Sequence, residues 1–151
     1  MLNEHNEYFE HLIFLAQEYD EKRSERLHRK KEIIARYGRE SAELEAWYDE
    51  PEIEPPFSEG TAKAICAWDD SVSREEDEVE MDTFLWDSEV TDFLNALRSA
   101  GIESFVITNQ STGLMGNLHA FAKAGCRMEG LCTITRRDDP PAEIPGIRFI
   151  L

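Results

Sequence analysis

Residues 69 to 92 hold eleven acids and a single base, Arg74, whereas residues 101 to 151 hold five of each. That asymmetry divides the chain. A stretch so rich in carboxylates has few apolar groups to bury, while the nearly neutral C-terminal part can build a core. The formal net charge is −16 over 151 residues, and the whole excess lies in the first hundred. A field of this sign repels nucleic acid and anionic membrane and favours a basic partner surface. Direct nucleic-acid binding is therefore disfavoured.

One domain with an appendage is the expected scale for this length. Residues 4 to 48 read as helix, with Phe9, Ile13, Ala16, Leu27, Ile34, Tyr37, Leu44 and Tyr48 on one seam that Asp20, Arg23 and Lys30 interrupt. Gly38 marks a break, so residues 1–50 form one long helix or a helical hairpin. This arm packs on its own domain or on a second copy, giving a homodimer through the N-terminal helices. Residues 51–60 are a proline-rich linker. Residues 61–151 are expected to be a compact domain containing an acidic loop at 69–82.

Within that domain, TAKAICAW (61–68) reads as a short strand with Ala64, Cys66 and Trp68 on one face. Asp87 or Ser88 caps a helix with Val90, Phe93, Leu94 and Leu97 inward, which Gly101 ends. IESFVIT (102–108) is a strand. Ser111 or Thr112 caps a second helix with Leu114, Leu118, Phe121 and Ala122 inward, and Gly125 ends it. Residues 126–136 form a strand, Asp138 to Pro141 turn, and 146–151 return antiparallel. The first and second of these last three strands run parallel if they lie side by side. The expected fold is α/β, with α+β as the alternative: a small mixed sheet of about four strands with two packing helices.

The stretch TNQSTGLMGNLHAFAKAGCRMEGLCTITR resembles a family of small bacterial proteins found in phages and other mobile elements. Those proteins carry a strand, a Ser/Thr-rich loop, a helix with a central His or aromatic, and then G-C-x-x-E-G leading a further strand. The matching residues are Ser111, Thr112, Gly113, His119, Gly125, Cys126, Glu129 and Gly130. The resemblance implies no known activity and points to a role between element and host.

Two function classes follow. The first is a non-enzymatic interaction protein whose Asp69, Asp70, Glu75, Glu76, Asp77, Glu78 and Glu80 engage a basic host protein. The second is a small-ligand or anion-binding domain using the loop Thr108, Asn109, Ser111, Thr112 and Gly113, with His119 nearby. That loop leaves a strand and enters a helix N-terminus, where free N–H groups favour an anion. It lacks the G-x-x-x-x-G-K-[ST] pattern. No G-x-S-x-G occurs, and no base accompanies Ser111 in sequence. Cys66, Cys126 and Cys132 show no paired spacing, which argues against a disulfide framework and a metal site. No catalytic residue and no cofactor are assigned. The N-terminus lacks a basic segment followed by an apolar run, and no stretch approaches a membrane span, so a cytoplasmic protein is expected.

Overall fold

A computed structural model describes residues 1–151. The elements are α1 (Glu7–Tyr37), α2 (Ala42–Asp49), α3 (Glu59–Ser73), β1 (Val79–Met81), α4 (Asp87–Ser99), β2 (Ser104–Ile107), α5 (Leu114–Lys123), β3 (Arg127–Arg136) and β4 (Ala142–Ile150). Five helices and one four-stranded mixed sheet make an α+β fold. The chain divides into two compact units. One comprises Met1–Glu10 and Phe57–Leu151, the other His11–Pro56.

The larger unit is built on the sheet, in the order β1-β2-β4-β3. β1 and β2 are parallel, and β4 is antiparallel to both β2 and β3. β4 therefore separates β2 from β3, which point the same way without touching. The sequence suggests a side-by-side parallel pair here. The tight β3–β4 hairpin instead claims β4's second edge for β2. Strand alternation divides the residues between two faces. Phe105 on β2 and Phe149 on β4 stack at 5.8 Å, with Phe93 of α4 and Phe121 of α5 packed edge-on or tilted against them. All four rings are fully buried and form the centre of the core.

Residues 61–68 are helical, not extended. Ser58 caps α3 by accepting the Thr61 N–H, and the buried positions Ala64, Ile65, Trp68 and Ser71 follow a helical period while Cys66 is exposed. α3 crosses α4 closely: a Cβ on Gly60 would come within 2.3 Å of the Glu89 carbonyl oxygen. Phe9, at the start of α1, stacks on Trp68 with ring centroids 5.1 Å apart.

The capping differs from expectation. Trp86 is the N-cap of α4, where the Glu89 carboxylate accepts the Trp86 N–H at 2.9 Å. Gly113 is the N-cap of α5 and offers no side chain to it. Ser111 instead accepts the Gly113 N–H within the loop. Ala122 faces solvent, and Asn117 takes the inward place beside Phe121.

In the smaller unit Gly38 ends α1 with φ +88°, and Ser41 caps α2 by accepting the Leu44 N–H. Leu44 and Trp47 are buried, but Leu27, Tyr37 and Tyr48 are exposed, so the apolar seam is only partly covered. Arg26 lies over the Trp47 ring at 4.4 Å, and Arg29 pairs with Glu50 at 2.8 Å. The prolines leave residues 51–56 outside any helix or strand. No helix is long and apolar enough to cross a membrane.

Candidate functional site

The second face of the sheet carries charge. Glu80 on β1 registers with Val106 on β2, and Val106 registers with Arg148 on β4. Arg136, at the end of β3, reaches across this face to Glu80. A Cβ on Gly146 would lie 2.5 Å from the Val106 side chain, so only glycine lets the strand pass. Glu80 itself is 1% exposed. It accepts hydrogen bonds from the Thr108 hydroxyl and from Arg136, and Arg74 approaches it at 3.5 Å. Arg74 also bonds Asp82 at 3.2 Å. The Ser71 hydroxyl accepts the Glu80 N–H at 2.9 Å.

The acidic run is therefore not a loop. Asp69 and Asp70 belong to α3, Glu80 belongs to β1, and residues 74–78 form the turn between the two elements. A three-residue strand is too short for its alternation to stand out in the sequence. Each acid also has its own fate. Asp69 and Asp70 are exposed on α3. Glu75, at φ 56°, pairs with Arg137 at 2.9 Å, and Asp77 pairs with the N-terminal ammonium. Glu78 accepts a forked pair of hydrogen bonds from Arg148 at 2.6 and 2.8 Å, and the Ser104 hydroxyl donates to it. Glu76 is 3% exposed. Both its carboxylate oxygens lack a hydrogen-bond partner, and the nearest cation, Arg74, is 3.9 Å away.

This arrangement drives the two buried carboxyls apart. Burial, reinforced by the Glu80 carboxylate, pushes Glu76 up to about 7. Burial also acts to raise Glu80, but the hydrogen bonds from Arg136 and Thr108, with the Arg136 charge, hold Glu80 below the usual carboxylate range. At pH 7 Glu76 is therefore about half protonated, while Glu80 is ionised. Arg136 and Arg148 are in turn raised, chiefly by their carboxylate partners.

The second candidate lies at the C-terminal ends of the parallel strands β1 and β2. Thr108 donates its N–H to the Met81 carbonyl. Asn117 clamps the neighbouring loop, accepting the Leu85 N–H and donating to the Leu85 carbonyl. A cavity of about 480 Å³ there is lined by Phe84, Trp86, Ser88, Gly113, Gly116 and Asn117, among others. Thr108 and Asn109 are buried, whereas Ser111 and Thr112 are exposed. Asn109 accepts the Ser111 N–H, and its buried amide nitrogen has no partner. His119 is not brought to this cavity. It lines a separate groove with Asp87, Thr91 and Lys123 between α4 and α5.

Sequence reasoning missed Arg74, Arg136 and Arg148 as members of the charged cluster. The balance of five acids and five bases in 101–151 was a usable signal, because three of those bases (Arg136, Arg137 and Arg148) serve acids from 75–80. The fold and the site thus define a small α+β domain whose acidic segment is locked to its own C-terminal hairpin. Residues 63–151 match a domain of unknown function (DUF7698), and the chain belongs to that family. The match takes in the sheet and the whole charged cluster and leaves α1 and α2 outside. No curated protein and no solved structure is similar to the chain.

Proposed function

We propose that the protein is a non-enzymatic, acidic interaction protein that binds a basic host protein surface in the cytoplasm, as part of a mobile element. The carrying observation is the charge left outside once internal pairs are drawn. Asp69 and Asp70 are exposed neighbours on α3, and neither takes part in an ion pair of the chain. Being helical, they are held in place rather than floppy, which lowers the ordering cost of binding. Glu76, Glu78 and Glu80 are committed internally and drop out of the contact surface. The mobile-element setting rests on the resemblance of the 108–136 stretch. An affinity capture from host lysate at low salt, followed by direct titration of the captured basic protein, tests the reading. Binding should weaken steeply with salt and be lost in Asp69→Lys/Asp70→Lys. Binding that ignores both changes contradicts it.

A second reading is favoured by one observation, the unpartnered Asn109 amide beside the α5 N-terminus. Here the 108–113 loop would hold a small anion. Inorganic phosphate and nucleotides should then raise the Tm of the wild type but not of Ser111→Ala/Thr112→Ala. A flat response removes it.

A further inference from the structure

Helix α1 is charge-segregated along its length. Residues 7–21 carry five acids and no lysine or arginine, while 22–36 carry seven bases and two acids. The helix dipole rewards such a bias only in the first and last turns, not across the middle of a helix of 31 residues. Along one stripe Ile13, Ala16, Asp20, Arg23, Leu27, Lys30 and Ile34 recur at alternating steps of three and four, the spacing of a helix–helix seam. Asp20, Arg23 and Leu27 on it are exposed, Leu27 by 51%. Asp20 and Arg23 enter no ion pair of the chain; Arg23 only lies over the Tyr19 ring at 5.4 Å.

We infer that this stripe is the contact face for a second copy of the chain, with the two α1 helices antiparallel about a twofold axis between Glu21 and Lys22. In that register the polar interruptions of the seam become complementary. Asp20 of each copy faces Arg23 of the other, and both pairs form at once by symmetry. Ala16 faces Leu27 on either side of them. Further out, Ile13 faces the stem of Lys30, whose ammonium sits on its own Trp47 and Tyr48 rings at 4.9 and 4.8 Å. The acidic half of each helix lies along the basic half of its mate. A parallel pair would stack Asp20 on Asp20 and Arg23 on Arg23, and the acidic halves on each other. The occupant and its direction are thus set by charge. None of these residues belongs to the Asp69/Asp70 surface, so this pairing and the basic-partner reading stand or fall separately.

The test is sedimentation equilibrium of the full chain from about 1 to 100 µM, with circular dichroism to confirm that each variant folds. The wild type should dimerise. Asp20→Arg and Arg23→Asp should each weaken the dimer about tenfold, because two attractive pairs become two like-charge pairs. The double swap D20R/R23D should recover most of that loss. A monomer throughout the range overturns the proposal, as do single swaps without effect or a double swap as weak as the singles. Cross-linking checks direction in a Cys66→Ser background. A mixture of Ala16→Cys and Leu27→Cys chains should form a disulfide-linked dimer. Linkage of Ala16→Cys chains to one another would show parallel pairing and defeat it.

Discussion

Residues 74–82 and residues 40–54 are alike in composition and opposite in fate. The first hold six acids beside Arg74 and the second seven acids with no base. In 74–82 the fold closes over the segment: Glu76 and Glu80 are buried, and Glu75, Glu78 and Glu80 each meet an arginine from the hairpin. In 40–54 every acid but Glu50 is exposed, and only Glu50 has a cationic partner, Arg29. Charge density alone does not mark an interaction surface. What matters is whether the topology brings distant cations back to the segment.

The contrast should be widest for one substitution made in both regions. Glu80→Gln removes the buried carboxylate that Arg136 and Thr108 bond and should cost roughly 1.5–3 kcal/mol in urea unfolding. Glu54→Gln, on the exposed linker, should stay within about 0.5 kcal/mol. Equal effects would erase the distinction. Next in size is the close approach of β4 to β2 at Gly146. Gly146→Ala forces the strand off Val106 and should cost roughly 1–3 kcal/mol by the same assay.

A smaller, pH-dependent effect sharpens the comparison. Glu76 sits at about 7 when folded against an ordinary 4.5, so the folded state holds its proton more tightly than the unfolded chain. Its contribution is complete below about pH 4.5 and is lost as pH rises through about 7. Glu80 is depressed, so its contribution is present above its ordinary value and is lost as pH falls through the folded one. Glu76→Gln mimics the protonated side chain. It should therefore raise Tm at about pH 8 relative to wild type and change it little at about pH 5. The reverse order would contradict the burial of Glu76.

Much of the fold was legible where the signal is local. Gly101 and Gly125 both adopt positive φ just past helix ends, and the periods of α4 and β2 are unambiguous. Gly38 likewise divides α1 from α2. Residues 61–68 misled because an eight-residue apolar window fits either period. The helical pattern emerges only when Ser71 is included and Asp69 and Asp70 are placed on the outer face. The cluster was illegible for a different reason: Arg136 lies 56 residues from Glu80, and Arg148 lies 70 from Glu78. No local pattern encodes such pairings. The sequence anticipates the α5 N-terminus, but the Ser111 hydroxyl accepts a bond within its own loop instead of capping the helix.

The most direct measurement is an NMR titration of the side-chain carboxyl carbons of Glu76 and Glu80 in the folded chain. Glu76 should titrate near 7 and Glu80 below the usual carboxylate range. Two ordinary midpoints, like those of freely solvated glutamates, would show that the acidic segment lies open to water and that the hairpin does not lock it.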